Sequence, residues 1–524
     1  MENKKESIFR GIISLLISQV FIKITGLIYK LYLTNKDGFG DSGNAIYSSG
    51  FQIYALLLTF SSTGVPNAIS YLVSERLAVG DNKGAHRIFK IAFITFSMIG
   101  IFGSILLFIG ADTISSNWIQ IPEAKYSLIA LSPSIFFVSI TSVIRGYFNG
   151  RQNFSITAKS QSLEQIFKTV FTIGLVELVV ILGKKNETIM AASANLATTI
   201  ATISSFIYIY LYYKVKRKEI GQEIAETVNY KPTRIRKTLK KIINVAMPIS
   251  ISSLISSFNK NIDSITIVRF LKEFCTEEEA KIKYGILSGK IDSLCSLPFA
   301  LNVAFVTTLV PSISKSMAKK NLDEVRKKSK NYILTSILIA LPIEVTMFLY
   351  PQEIMNLLFP NAANGAMYLK VSSIAIIFMI LAQTINGILQ AIGKVNVPAI
   401  SFGIGMIIKF ICNIVLIRNP KIGIYGAIIG NILCNIVACG ISFLVLYKNI
   451  KIKLEAENLL LKPLIAIIIM IIVSKALYNW LKCIKIGSLA IILTLITSYL
   501  IYLLLIIILR IYPSKKIKIK KFSK

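Results

Sequence analysis

The sequence predicts an all-α polytopic membrane protein, and three observations support this fold class. The 524-residue chain is 54% hydrophobic and only 16% charged, which is less charge than a soluble protein of this length carries. Apolar runs of about 20 residues, long enough to cross the hydrocarbon core of a bilayer, recur along the whole chain. The lysines and arginines are concentrated in alternate segments between these runs.

The apolar runs define fourteen expected transmembrane helices. The first run, residues 8–34, is too long for the core of a signal peptide and is followed by no small-residue cleavage site, so we expect a retained helix. The approximate spans are residues 8–34, 45–72, 88–111, 121–144, 160–183, 188–213, 242–270, 284–314, 331–352, 362–389, 395–417, 422–447, 463–481 and 486–509.

The distribution of basic residues predicts the orientation of these spans. With the N-terminus in the cytoplasm, and with Arg10, Lys90 and Lys125 at the span ends counted in the adjoining segments, 39 of the 59 lysines and arginines lie in cytoplasmic segments and 11 lie in outer loops. Such an excess follows the positive-inside rule, so we expect a plasma-membrane protein with both termini cytoplasmic. Most of the net charge of +33 then serves orientation. Nucleic acid is accordingly not an expected partner.

A six-helix unit occurs twice in the sequence. "TGVPNAISYLV" (63–73) resembles "TLVPSISKSMA" (308–318), and "GYFNGRQNFSITAKSQSLEQIFK" (146–168) matches "GILQAIGKVNVPAISFGIGMIIK" (387–409) at a constant offset of 241. An offset of six spans gives both copies the same orientation. Two parallel repeats with a substrate site between them are typical of transporters.

The repeat predicts the domain organisation. We expect an N-terminal lobe at 1–213, a basic cytoplasmic linker at 214–241 and a C-terminal lobe at 242–447. Residues 448–524 then contain two additional helices and a basic cytoplasmic tail, for which contact with anionic lipid is a further expectation.

Paired prolines predict hinges or gates in the two lobes. Gly64 and Pro66 interrupt the second span, with the polar Asn67 beside them, and Pro311 occupies the matching position of the eighth span. Proline removes a backbone hydrogen bond, and the freed carbonyl is tolerated only against protein or a wet cavity. A harmless kink is the alternative interpretation for each proline alone.

Charged residues inside the predicted spans are mostly basic. Nine lysines and arginines are embedded against about five acids, and a charge near the bilayer centre is costly unless it faces a cavity or a partner. Lys23 and Lys30, seven residues apart, share one face of the first helix. We infer a cavity with a positive wall. The candidate substrate-binding residues are Lys23, Lys30, Lys260, Asp263, Lys290, Arg145 and Lys409.

Simpler roles stay open for several of these residues. Lys30 lies near a helix end and could extend to the interface. Lys260 and Asp263 could neutralise each other. Lys409, the repeat mate of Lys168, could stabilise its own lobe, and Arg145 could either hold the cytoplasmic gate or act as a positive-inside anchor.

The sequence contains no pattern typical of an enzyme or a metal site. No P-loop, serine nucleophile motif or His/Cys set occurs, and the six cysteines form no CxxC pair. We expect no cofactor and no bound metal. Membrane potential or an ion gradient is the expected driving force.

Several stretches together resemble a known family. "VFIKITGLIYKLYLT", "GVPNAISYLVSERLAVGDNKGAHRIFK", "IRGYFNGRQNFSITAKSQSLEQIFK", "NGILQAIGKVNVPAI" and "GIYGAIIGNILCN" are similar to the polysaccharide-biosynthesis branch of the multidrug/oligosaccharidyl-lipid/polysaccharide exporter superfamily. Within it, the chain looks most like the stage V sporulation protein B family and the MurJ-type lipid II flippases. The likeness extends over nearly the whole chain.

The resemblance implies two lobes in a V and a C-terminal helix pair that borders a groove for a lipid tail. It implies that an undecaprenyl-diphosphate-linked saccharide, such as a peptidoglycan precursor, is moved from the inner to the outer leaflet. Spore cortex synthesis is one destination that it suggests, and peptidoglycan synthases are candidate partners. Lys23 matches a basic cavity residue of the flippases, and Lys30 matches one typical of the sporulation-type relatives. The chain departs from MurJ-type flippases in that residues 46–74 hold no charge.

Two other functions compete with the flippase interpretation. A multidrug or cation exporter on the same fold would use embedded carboxylates for ion coupling, and the basic excess argues against it. A scaffold that transports nothing would have no need for cavity lysines.

Overall fold

The structure is a computed structural model of the chain, and it describes residues 2–59, 64–227, 234–452, 457, 461–484, 487–509 and 511. Within these ranges every regular element is a helix and no β-strand occurs. The fold is the all-α class that the sequence predicts.

The α-helices of the described ranges follow one another with short connections. They are α1 (Glu2–Asn35), α2 (Gly40–Thr59), α3 (Val65–Ala78), α4 (Asn82–Thr113), α5 (Ala124–Gly150), α6 (Phe154–Ile181), α7 (Glu187–Ala225), α8 (Ile235–Leu271), α9 (Glu277–Gly285), α10 (Asp292–Ala318), α11 (Leu322–Leu349), α12 (Pro351–Leu358), α13 (Ala366–Ser373), α14 (Ala375–Ala391), α15 (Val397–Ile417), α16 (Tyr425–Ile450), α17 (Lys462–Cys483) and α18 (Ser488–Ile508). A π-helical segment, Ile114–Ile119, extends α4, and another, Ile286–Ile291, joins α9 to α10.

Nine helices within the described ranges are long and apolar enough to cross a membrane. They are α4 with its π-helical extension, α5, α7, α11, α13 with α14, and α15 to α18. The chain is therefore polytopic, and the total of fourteen spans stays a prediction. The helices α1, α6 and α8 carry several of the embedded charges considered below.

The chain forms two compact units. Unit 1 comprises Met1–Ala300 and Phe402–Cys434, and unit 2 comprises Leu301–Ser401 and Asn435–Lys524. These units are defined by packing, whereas the predicted lobes 1–213 and 242–447 follow the sequence repeat. The lobe boundaries therefore stay predictions.

The core of unit 1 forms where α3, α4, α5 and α7 meet. Apolar residues such as Ile69, Phe89 and Ile144 are buried there. Two glycines four residues apart, Gly146 and Gly150, let the backbone of α5 approach α3, as small residues at this spacing do in membrane helices. The "GYFNG" stretch of the repeat is thus a helix-packing motif.

The second predicted span overlaps two described helices. α2 ends at Thr59 and α3 begins at Val65, with Pro66 in its first turn, where the missing N–H costs no helical hydrogen bond. The break was predicted at Gly64 and Pro66, and residues 60–63, which precede it, lie outside the described residues. In unit 2, α10 continues through Pro311, so the matching proline does not end a helix there.

The predicted linker 214–241 is helical at both ends. α7 extends to Ala225 and α8 begins at Ile235, and the residues from 228 to 233 lie outside the described ranges. The Lys216–Glu219 ion pair, with an N–O distance of 2.7 Å, shows how a polar segment continues a helix through pairs three residues apart.

In unit 2, α11 packs against α14 and α17 packs against α18. Asn302 on α10 donates hydrogen bonds to Gln383 and Thr384 on α14, at 2.8 and 3.0 Å. A Cβ atom on Gly387 of α14 would meet Val306 of α10. Gly146 likewise touches Pro66, so each glycine of the repeat pair contacts the helix that carries the matching proline.

Candidate functional site

The first helix positions two lysines of unit 1 toward one face. Lys23 and Lys30 are separated by two helical turns of α1. Lys30 Nζ donates a 2.7 Å hydrogen bond to Ser293 Oγ at the start of α10. The Lys23 side chain is exposed, and within the described residues it has no hydrogen-bond or ion-pair partner.

Lys260 on α8 joins these two residues. Its side chain is exposed, and it lies close enough to Lys23 and Lys30 for their charges to interact. The part of the chain that the structure describes supplies no ion pair to Lys260. We call Lys23, Lys30 and Lys260 the lysine cluster. All three residues belong to unit 1.

Among the described residues, Asp292 is the carboxylate whose charge interacts with the lysine cluster. Asp292 interacts electrostatically with Lys260 and Lys30, and also with Asp263 and Lys409. A single carboxylate cannot balance three ammonium groups. The lysine cluster therefore keeps an excess of positive charge.

Three other embedded acids are held by different partners. Glu164 pairs with Arg145 at 2.7 Å, Glu177 pairs with Lys36 at 2.6 Å, and Asp263 pairs with Lys409 at 2.6 Å. Asp263 thus pairs with Lys409 and not with Lys260, which corrects the interpretation that Lys260 and Asp263 neutralise each other. Lys260 and Asp263 lie three residues apart on α8, but Lys409 on the neighbouring helix α15 is the residue that pairs with Asp263.

Lys409 and its repeat mate Lys168 are both buried, but they are stabilised in different ways. Lys409 also donates to the Asn259 carbonyl at 2.9 Å, and Asn413 holds the second oxygen of Asp263 at 3.1 Å. Lys168 lies 4.1 Å from the ring centroid of Phe51, in a cation–π contact. These contacts describe structural roles for both lysines within unit 1.

Two other predicted site residues are also held in ion pairs. Lys290 is fully buried with its Nζ atom 2.7 Å from Asp41 Oδ1. Arg145 contacts Glu164 and donates hydrogen bonds to Ser160 and Ser205, which ties α5 to α6 and α7. Lys290 and Arg145 therefore differ from the lysine cluster, because each of them has an acidic partner of its own.

The predicted hinge residues have distinct surroundings. Gly64 lies so close to Ser250 of α8 that a Cβ atom would clash with that side chain. Pro66 is buried against Gly146, whereas Asn67 is exposed. Pro311 is exposed on α10 in unit 2. A hinge or gate function for these four residues stays a proposal.

Sequence reasoning missed a polar junction on α9. Lys281 lies between Glu123 and Glu187, with N–O distances of 2.9 and 2.8 Å. Burial alone would lower the pKa of Lys281, but its hydrogen bonds to the two carboxylates outweigh burial and raise that pKa above its ordinary value of 10.5. The three residues are far apart in sequence, so no local pattern indicates that they meet.

The match to protein families decides the classification. Residues 8–317 match the family described as "Polysaccharide biosynthesis protein", which is more than half of the chain. The chain belongs to this family. Residues 290–415 also match the MatE family. The family assignment agrees with the resemblance in the sequence motifs.

Two relatives from Bacillus subtilis (strain 168) are similar to this family member along most of their length. Stage V sporulation protein B is 24% identical over 455 residues, which is 86% of this chain and 86% of that protein. The lipid II flippase MurJ is 24% identical over 428 residues, which is 78% of this chain and 77% of that protein.

Solved structures show the same fold. Lipid II flippase MurJ in an inward closed conformation aligns with a TM-score of 0.71 at 19% identity, covering 95% of this chain and 99% of that one. An inward-facing multidrug resistance MATE family transporter of the MOP superfamily aligns with a TM-score of 0.66 at 16% identity, covering 83% of this chain and 98% of that one. The family member therefore has the multi-pass membrane fold of these structures.

Proposed function

We propose that the protein is a flippase that moves an undecaprenyl-diphosphate-linked saccharide, similar to a peptidoglycan precursor, from the inner to the outer leaflet by alternating access. The lysine cluster is the observation that supports this proposal most strongly. The names of the relatives, one a lipid II flippase and one a sporulation protein, supply the class of substrate and suggest the spore cortex as a destination.

Lysines inside membrane spans need a compensating environment. Each one near the bilayer centre costs about 2.5–3.5 kcal/mol on insertion scales unless it meets water or a counter-charge. Lys23 lies about 22 Å along the predicted first span, at 1.5 Å per residue, which is too deep to reach the cytoplasmic interface easily. Its exposed side chain therefore fits a wet cavity that receives an anion.

A diphosphate lipid supplies the negative charge that the lysine cluster lacks. Its phosphates carry negative charge that must be offset when their water is removed, and lysine binds phosphate as a point charge. The isoprenoid tail is apolar and can stay in the bilayer, so only the head group needs the cavity. Three embedded acids that could compete for the lysines, Glu164, Glu177 and Asp263, are paired with other residues.

The direction of transport and its driving force follow from the proposal. The predicted orientation places the N-terminus in the cytoplasm, where lipid-linked precursors are assembled. Membrane potential or an ion gradient is the proposed source of energy, since one elementary charge is worth about 2.3 kcal/mol per 100 mV. Peptidoglycan synthases are proposed partners on the outer side.

A drug or cation exporter is the second candidate function. The MatE match at residues 290–415 favours it. The lysine cluster opposes it, because a cationic substrate would be repelled by three ammonium groups. The two candidates therefore differ in the sign of charge that the substrate carries.

A reconstitution experiment separates these candidates. The purified protein is placed in liposomes with a fluorescent undecaprenyl-diphosphate saccharide, and a membrane-impermeant quencher reports the fraction in the outer leaflet. We expect the protein to make the whole lipid pool accessible, while fluorescent phosphatidylcholine, the matched control, stays half protected. Uptake of an organic cation without any movement of the diphosphate lipid would overturn the flippase proposal.

A further inference from the structure

A basic pocket lies in unit 1 where α4 begins and α7 ends. Its volume is about 490 Å³, within the roughly 300–1,000 Å³ of pockets that hold small molecules. The lining is polar and aromatic, and it consists of Lys83, His86, Arg87, Lys90, Tyr210, Tyr213, Lys214, Arg217, Ile220, Gly221 and Ile224. None of the lysine-cluster residues belongs to it.

The charge of this basic pocket is not balanced from within. Its lining contains five lysines and arginines and no acid. Three acids on the same or adjoining segments are held in ion pairs of their own, namely Arg76–Asp81, Lys216–Glu219 and Arg151–Glu223. Within the described residues, Lys90, Lys214 and Arg217 have no ion-pair partner. The basic pocket therefore concentrates positive charge that an anionic ligand would offset.

The two helices hold the basic pocket in a fixed shape. Asn82 donates to the Glu223 carbonyl at 2.9 Å, and the Lys83 N–H donates to Thr227 at 3.1 Å. The Tyr213 ring packs on Phe89 of α4 with 5.2 Å between ring centroids. Because α4 and α7 are joined at this end, the cationic side chains converge before any ligand arrives.

The surroundings favour a ligand that comes from the bilayer. α7 has 39 residues, or about 58 Å of helix, which exceeds the roughly 30 Å of the hydrocarbon core. Its last turns therefore project beyond the core. Toward the middle of the membrane, Ile94 and Met98 on α4 and Leu211 on α7 are exposed apolar residues. Acyl chains could lie along these residues while their head group enters the basic pocket.

We propose that the basic pocket binds a phosphate-bearing anion, supplied by the head group of an anionic phospholipid in the predicted cytoplasmic leaflet. Basic pockets between transmembrane helices on this side of the membrane suit such head groups. Arg217 offers a planar guanidinium group that can bind phosphate through two hydrogen bonds. Tyr210 and Tyr213 have the amphipathic character of residues at the membrane interface. A soluble phosphate compound would present the same chemistry.

The experiment measures lipid binding by the full-length protein in detergent micelles. The test variant is the double substitution Lys90→Gln/Arg217→Gln. The matched control is Lys218→Gln/Lys240→Gln, which removes the same charge from exposed positions at the same end that do not line the basic pocket. Native mass spectrometry titrates phosphatidylglycerol, phosphatidylcholine and, in a separate arm, inorganic pyrophosphate. Melting temperatures without ligand confirm that all proteins are folded.

We expect wild type and control to bind phosphatidylglycerol in preference to phosphatidylcholine, and the test variant to bind it roughly tenfold or more weakly. Binding of pyrophosphate alone, lost in the test variant, would support a phosphate site but overturn the lipid as its source. Equal affinity of the test and control variants for phosphatidylglycerol, with no pyrophosphate binding, would overturn the proposal entirely. None of these outcomes depends on whether the protein flips a saccharide lipid.

Discussion

Lys409 Nζ lies 2.6 Å from Asp263 Oδ2, and the lysine side chain is almost completely buried. This ion pair joins α15 to α8 inside unit 1. Asp263 is one of the few embedded acids, and this pair makes Lys409 its partner in place of Lys260. Asn413 donates a hydrogen bond to the other oxygen of the carboxylate. The excess positive charge of the lysine cluster depends on this arrangement.

We expect Lys409→Met to destabilise the protein strongly. Removing one partner leaves the Asp263 carboxylate with little access to water, and breaking a buried pair in this way costs about 3–5 kcal/mol. The measurement is the thermal unfolding of the purified protein in detergent. The double substitution Lys409→Met/Asp263→Asn should recover most of the loss, because Asn413 can still donate to the new amide oxygen. A single variant as stable as the wild type would show that the pair contributes nothing.

Arg145 connects three helices, so its substitution should act through stability. We expect Arg145→Met to cost about 3 kcal/mol, because Glu164 loses its partner. Arg145→Lys should recover only part of this loss, since an ammonium group cannot reproduce the planar contacts to Ser160, Glu164 and Ser205. Unfolding curves and the transport assay are compared for the same proteins. If Arg145→Met/Glu164→Leu unfolds like the wild type yet remains inactive, the purely structural role is wrong and a gate role is favoured.

Gly146 allows α5 to approach α3. A Cβ atom there would lie 2.8 Å from the Pro66 carbonyl oxygen and 2.9 Å from Pro66 Cα, so Gly146→Ala should force the helices apart at a cost of about 1–3 kcal/mol. Gly174→Ala on α6 is the control, because nothing lies within 4 Å of a Cβ atom at that position. Melting temperatures should fall for the first variant and stay constant for the second. Equal melting temperatures would mean that α3 and α5 do not depend on this contact.

The orientation can be tested by cysteine labelling of intact cells. After the half-buried Cys275 and the exposed Cys483 are replaced by serine, single cysteines are introduced at the exposed positions Asn356 and Lys218. Asn356→Cys should react with an impermeant maleimide from outside, and Lys218→Cys should react only after permeabilisation. The reverse pattern would invert the proposed direction of transport.

The fold class was predictable because the membrane imposes a simple composition on its helices. Apolar runs indicated α4, α5 and α7 directly. The short helices α9 and α12 and the interruption between α13 and α14 at Ile374 were not predicted. They depend on local backbone geometry that the hydropathy of a 20-residue run does not contain.

The candidate site was only partly predictable for a different reason. Depth in a span identified Lys23, Lys260 and Lys409 as unusual. Depth could not show which of these lysines has an acidic partner from a distant part of the sequence and which has no such partner among the described residues. That distinction depends on contacts such as Lys409–Asp263, between residues 146 apart in sequence. The basic pocket between α4 and α7 was missed because each of its lysines and arginines, taken singly, fits the positive-inside rule. The sequence does not show that the two helices bring these residues together.

The most direct test of the flippase proposal is the rate of diphosphate-lipid flipping by Lys23 variants in liposomes. We predict that Lys23→Ala and Lys23→Gln fold and insert normally but fail to flip the lipid, because a neutral group cannot replace a phosphate counter-charge. Lys23→Arg should retain substantial flipping, because the charge remains. A normally folded Lys23→Ala protein that flips the lipid at the wild-type rate would contradict the role of the lysine cluster in transport.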